Sequence, residues 1–137
     1  MARILAIDYG LKRTGIAVTD PLQIIATGLE TIESSKLQMF LSDYFRKEDV
    51  ECIVVGDPKN LDNTPSEISM EVYRMIAELN KNYPDKRVIC IDERFTSRIA
   101  QNTIAHSGLR KKARRDKSLI DKISAVLILQ GYLDTIK

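Results

Sequence analysis

Three acids stand in this chain where a carboxylate is either costly or purposeful. Asp8 ends the apolar run of ILAIDYG, Glu93 closes RVICIDE, and Asp121 opens the last apolar-rich stretch, KSLIDKISAVLIL. A buried carboxylate without a partner is expensive, so one that extends a core strand must find a proton, a cation or a metal. In an open sheet, ligands gather beyond the carboxyl ends of the strands. Acids ending two such strands, joined by a third from a helix crossing that edge, would share one crevice. Oxygen donors of this kind suit hard cations, Mg²⁺ or Mn²⁺. Two such ions about 4 Å apart activate a water and stabilise the leaving oxygen in phosphodiester cleavage. Each acid also has a plainer reading. An Asp after a strand often bonds its own backbone in a turn, and Asp121 in the first turn of a helix would complement the helix dipole. Alternation sends Asp92 and Glu93 to opposite faces, so pattern alone leaves the choice between them open.

Basic residues point to a polyanion. Net charge is only +2, yet RKKARRDK, residues 110–117, holds six of the 21 Lys and Arg and one of the 19 acids. The rest of the chain carries 15 basic against 18 acidic residues. A mildly acidic body with one dense basic loop suggests a local site for a polyanion. Arg110, Lys111, Lys112, Arg114 and Arg115 would grip nucleic-acid backbone without reading sequence; the alternative is a solvated loop. Lys12, Arg13 and Arg94 lie near the acids and are candidate phosphate contacts. Gly10 and Gly15 flank the turn after Asp8 and would let backbone approach a phosphate closely. There is no Trp, and the few aromatics fit core faces, so base stacking is not evident. His106, the only histidine, reads as a helix-end residue.

The elements that must position these residues follow from periodicity. Residues 3–8, 14–20 and 24–32 read as strands separated by short turns, an antiparallel meander. A helix follows, with Leu37, Phe40, Leu41, Tyr44 and Phe45 on one face. ECIVVG is a short buried strand. Thr64-Pro65-Ser66-Glu67 has the form of a capping box, and Ile68, Val72, Met75, Ile76 and Leu79 line one side of the helix behind it. RVICI is the fifth strand, a short helix spans Thr96 to His106, and a largely buried helix runs from about Ser118 to Thr135. The order β-β-β-α-β-α-β-α-α predicts an α/β fold, a ribonuclease-H-like mixed five-stranded sheet flanked by helices. At 137 residues the chain suits one domain, 1–137. Cys52 and Cys90 sit in apolar runs and read as small buried hydrophobes, neither a zinc motif nor a disulfide framework. No apolar run approaches the roughly 20 residues that span a membrane, and the N-terminus lacks a signal-peptide pattern. A cytoplasmic protein without membrane contact is expected.

The strings IDYGLKRTGIAVTD, VVGDPKNLDNT, DERFTS and RKKARRDKSLIDKISAVLILQGYLD, in this order and over nearly the whole chain, closely resemble the YqgF family. These are small bacterial ribonuclease-H-fold proteins described as Holliday-junction-resolvase-like and as nucleases maturing the 5′ end of pre-16S rRNA. The resemblance implies a divalent-metal-dependent nuclease with Asp8, Glu93 and Asp121 as the acidic triad, and it selects Glu93 over Asp92. Two positions depart from the commoner pattern. Asp57 stands where an apolar residue is usual, and reads as a solvated turn residue in preference to a further metal ligand. Asn63 replaces a Gly, and Asn tolerates the left-handed conformation that Gly would supply.

The leading expectation is therefore an endonuclease on structured RNA, with Mg²⁺ or Mn²⁺ as cofactor. A Holliday-junction DNA resolvase is the near alternative, which would need two sites in a symmetric homodimer; the sequence reveals no dimer surface, and a monomer or homodimer is expected. A sugar-kinase or actin-like ATPase shares the opening strand and Asp-x-Gly turn, but needs two lobes. A non-catalytic nucleic-acid-binding module would have no use for all three acids.

Overall fold

The computed structural model describes residues 2–57, 68–92 and 117–136. Strands β1 (Arg3–Tyr9), β2 (Arg13–Thr19) and β3 (Ala26–Glu33) form the expected antiparallel meander. A short 3₁₀ turn leads into α1 (Leu37–Lys47), followed by β4 (Val50–Asp57), α2 (Ser69–Asn82), β5 (Arg87–Asp92) and α3 (Lys117–Ile136). The sheet order is β3-β2-β1-β4-β5. β4 pairs in parallel with both β1 and β5, so the sheet is mixed.

Alternation along the strands builds two cores. Leu5, Ile7, Ile16, Val18, Ile53 and Val55 face α1 and α2, which contribute Leu37, Leu41, Val72, Met75 and Leu79. The helical periodicities read from sequence hold: Phe40, Tyr44, Phe45, Ile68 and Ile76 pack at the margin of this cluster. On the other face, Ile4, Ala6, Ala17, Cys52 and Val54 meet Ala125, Ile128, Leu129, Tyr132 and Leu133 of α3. Full burial of each large aliphatic side chain contributes about 1.5–3 kcal/mol. Small residues dominate the strand side of this second contact. Ala6 pairs with Ala17, and Ala17 with Gly28, leaving a shallow path in which α3 lies close to the backbone.

Local hydrogen bonds set the turns. Gly10 closes the β1–β2 turn tightly, since a Cβ there would meet the Arg13 carbonyl oxygen at 2.4 Å. Ser34 fastens the same turn: its N–H donates to the Lys12 carbonyl at 2.9 Å, and its hydroxyl donates to the Gly10 carbonyl. The Asp20 carboxylate accepts the N–H groups of Ile24 and Ile25, both at 2.8 Å, around a left-handed Gln23.

Two readings from the sequence need correction. β4 extends one residue beyond VVG, so Asp57 is not a solvated turn residue. It is 6% exposed, and the Tyr73 hydroxyl on α2 compensates its burial by donating to both oxygens, at 3.2 and 3.3 Å. Cys52 is buried as expected, but Cys90 is exposed, because β5 is a terminal strand of the sheet. The capping box at 64–67 and the helix from Thr96 to His106 lie outside the described residues. Among the described residues, no helix is long and apolar enough to cross a membrane.

The Asp20 turn carries a pH dependence. The backbone N–H groups of Ile25 and Ile24 hold its carboxyl below the usual range, so its stabilising effect is present above the ordinary carboxylate pKa and fades as pH falls through the lowered value. Asp20→Ala should therefore melt below wild type at neutral pH, with the gap closing in acid. A gap that persists unchanged down to about pH 2 would show that the carboxylate contributes nothing.

Candidate metal and nucleic-acid site

Asp8 is the penultimate residue of β1, and its ladder partner is Gly15 on β2. Ile4 and Ala6 pack against α3, so alternation puts Asp8 on that face as well. Gly15, directly opposite, shares it. A Cβ at Gly15 would lie 2.2 Å from the backbone oxygen of Asp121. Backbone of α3 thus fills the space where the side chain of residue 15 would be. The two acids flank one glycine, Asp8 across the ladder and Asp121 against it. Asp121 is the fifth residue of α3, one residue further from the helix start than the sequence suggested, because the helix already begins at Lys117. At that position, just past the first turn, the helix dipole acts on it only weakly.

Asp121 has a more specific partner. Arg13, the first residue of β2, donates from Nε to its Oδ2 at 3.1 Å. Both side chains are partly accessible, 38% for Arg13 and 24% for Asp121. The sequence set Arg13 against a phosphate; here its guanidinium balances a carboxylate. Lys12, beside it on the turn, is exposed. Gly10 and Gly15 do not open onto space that a phosphate could enter, since carbonyl oxygens of Arg13 and Asp121 fill the positions a Cβ would take.

The donor set fits a hard divalent cation. It consists of carboxylate oxygens on one face at the edge where β1 ends, and a guanidinium already supplies positive charge to one of them. Among the described residues, no group of three His, Cys, Asp or Glu side chains gathers as a metal cluster. Glu93, the third expected acid, lies outside them, as do Arg94, Arg110, Lys111, Lys112, Arg114, Arg115, His106 and Asn63. Asp57 is not a further member of the pair. Ile53 and Val55 of its strand face α1 and α2, and its partner Tyr73 is on α2, so it serves the opposite face. Desolvation first, and the negative Asp57 second, push the Tyr73 phenol above its usual range. A cavity of about 140 Å³ also opens on that face, between Tyr9, Leu37 and Met75, with Glu71, Arg74 and Glu78 at its rim.

The Arg13–Asp121 pair and the role of Gly28 were missed in the sequence, although a signal existed. Counting back from Asp8 opposite Gly15, Arg13, Gly15 and Ala17 fall on one face of β2 by alternation. A basic residue, a gap and a small residue in that order mark where a helix can lie close and bring an acid.

The solved structure of T. thermophilus RuvC in complex with Holliday junction substrate superposes with a TM-score of 0.60, covering 98% of this chain and 96% of that one at 16% identity. The fold is ribonuclease-H-like, as expected from the element order. The family model described as "RuvX: Holliday junction resolvase" matches residues 2–135. A relative from Christiangramia forsetii is 50% identical over 133 residues, 97% of this chain and 98% of the relative. One from Flavobacterium johnsoniae is 52% identical over 135 residues, 98% of both chains. Each bears the name "Putative pre-16S rRNA nuclease". The chain belongs to the RuvX family, in agreement with the resemblance carried by its four motifs.

Gly15 is the position where site and fold meet. Gly15→Ala forces a methyl group onto a helix carbonyl and should cost about 1–3 kcal/mol in urea unfolding. Gly28→Ala should cost less, because the atoms it would meet are Cγ and Cδ of the flexible Lys122 side chain, at 2.7 and 2.9 Å. An equal or reversed order would show that close approach of α3 at Gly15 is not limiting.

Proposed function

We propose that this chain is a divalent-metal-dependent endonuclease that processes structured RNA, the 5′ end of pre-16S rRNA in ribosome biogenesis. The observation that carries the reading is the pairing of Asp8 and Asp121 on one sheet face across Gly15. Names borne by relatives about half identical over nearly full length support RNA as the substrate. Asp8 and Asp121 would hold Mg²⁺ or Mn²⁺, with Glu93 as the third ligand on the strength of the family motif. Such an ion, when bound, supplies an activated water and neutralises charge developing on the phosphate.

The chain's own residues prepare that chemistry. The β1–β2 ladder fixes the backbone of Asp8, and burial of α3 on the sheet fixes that of Asp121. A site held by a strand and a packed helix is better ordered than one held by loops. Lys12 is exposed on the turn between β1 and β2, and with Arg94 and the basic segment 110–115 it would neutralise phosphates of the nucleic acid. A second reading, resolution of a Holliday junction, is supported by the description of the family. It requires the chain to act as a symmetric dimer with two sites.

One assay separates these readings. Wild type and Asp8→Asn are incubated with a pre-16S rRNA 5′ leader fragment or a four-way DNA junction, in Mg²⁺, Mn²⁺ or EDTA. RNA cleavage that needs metal is expected, and Asp8→Asn should lower it by more than the roughly 10–100-fold that changes outside the ligand shell cost. Symmetric nicking of the junction would move the assignment to a resolvase. Binding to either without cleavage would make the chain a binding module, and full activity in Asp8→Asn would end the metal reading.

The basic segment makes a separate prediction. Replacing Arg110, Lys111, Lys112, Arg114 and Arg115 with Ala should weaken binding and flatten its salt dependence. On single-stranded nucleic acid the log–log slope should fall by up to roughly 0.7 for each phosphate no longer neutralised. An unchanged slope would return the segment to a solvated loop.

A further inference from the structure

Arg13 has a carboxylate partner in this structure and a second use available to it. Its guanidinium donates to Asp121 Oδ2 at 3.1 Å, and the pair remains 38% and 24% accessible. A partly exposed ion pair opens at small cost. A divalent ion recruited by Asp8 and Asp121 would compete for that carboxylate, since both cations are drawn to the same oxygen. The backbone of Arg13 does not have the same freedom. It is paired with Glu33 on β3, and the turn before it is tied down by Ser34 through the Lys12 carbonyl. Glu33 is itself within 3.9 Å of Lys36. A guanidinium released from Asp121 therefore stays on the rim beside exposed Lys12, where a phosphate of the nucleic acid would lie.

We propose that Arg13 is a counter-ion exchanged between Asp121 and a nucleic-acid phosphate, so that metal loading and substrate grip are coupled through this ion pair. The proposal rests on Asp8 and Asp121 being metal ligands, as argued under the proposed function. In the free protein Arg13 neutralises Asp121 and restrains the ion from binding. With metal in place the arginine adds to the positive rim.

Mn²⁺ titration calorimetry without nucleic acid tests the first half. Arg13→Gln should bind Mn²⁺ about threefold to fivefold more tightly than wild type, the factor set by a partly exposed ion pair. Lys12→Gln removes the same charge one residue away and should leave the affinity nearly unchanged. An equal gain in Lys12→Gln would make the effect one of general charge and overturn the proposal. So would weaker Mn²⁺ binding by Arg13→Gln, the result if the arginine only orients Asp121. Arg13→Lys, which keeps the charge and loses the fork, should fall between wild type and Arg13→Gln, and carries the test if the Gln variant does not fold. Wild type that shows no saturable Mn²⁺ binding, or binding that Asp8→Asn leaves intact, would remove the metal reading itself along with the proposal.

The second half is read in EDTA with a fluorescein-labelled RNA stem-loop. Asp121→Asn frees the arginine without metal, and should tighten RNA binding about threefold more in the Arg13 background than in Arg13→Gln. The same tightening in both backgrounds would show that Arg13 does not pass to the phosphate.

Discussion

The structure depends on how closely α3 approaches the sheet. Backbone of the helix at Asp121 sits where the side chain of residue 15 would be, so helix and strand touch without a layer of side chains between them. Ordinary helix–sheet packing puts side chains in that space, which would hold a helix-borne acid well away from a strand-borne one. Here the contact is made by a glycine at one end and by small residues, Ala6, Ala17 and Gly28, further along. The apolar length of α3, with Ile128, Leu129 and Leu133 wholly buried, supplies the free energy that holds it there. Removal of apolar area from water on one part of the helix thereby fixes a carboxylate on another.

The sheet also sorts charge by face. Asp8 and Asp121 are on the α3 side, together with Arg13, the cation bonded to Asp121. Asp57 ends the neighbouring strand on the other side and is satisfied by Tyr73. One edge of the sheet therefore carries two kinds of carboxylate. Asp57 is buried and accepts from the Tyr73 hydroxyl, which suits a structural acid. Asp121 is partly accessible and bonded to the guanidinium of Arg13.

Much of this was legible in the sequence because it follows from period. Alternation and helical spacing located the five strands and three of the helices to within a few residues, and Asp8 stood out because an acid ending an apolar run needs a reason. Contacts made across sequence distance were harder to read. Arg13 and Asp121 are 108 positions apart, and nothing in either local pattern names the other. Gly15 looked like a phosphate-facing residue because a glycine beside a turn has that use in many folds; only the crossing of α3 shows what fills it. Asp57 was misread for a related reason. A polar residue before Pro58 resembles a turn, and its strand character depends on pairing with β5 and on a tyrosine from α2. Exposure of Cys90 likewise follows from the place of β5 in the sheet order, which an apolar run does not encode.

Economy of charge links the fold to the chemistry. Two carboxylates held on one face repel, and the protein folds before any ion is guaranteed. The hairpin joins the end of β1, where Asp8 is the penultimate residue, to Arg13 at the start of β2, and the register Asp8 to Gly15 and Tyr9 to Thr14 makes their separation a property of the turn. When α3 docks, its acid finds a guanidinium already on the same face of the sheet. The ion pair is too exposed to contribute much stability by itself, about 0–1 kcal/mol, but it relieves the charge that docking would otherwise concentrate. Because that relief comes from a flexible side chain on a rigid strand, it can be withdrawn without moving the backbone. The arrangement relieves the charge on Asp121 while leaving its carboxylate partly accessible at the surface.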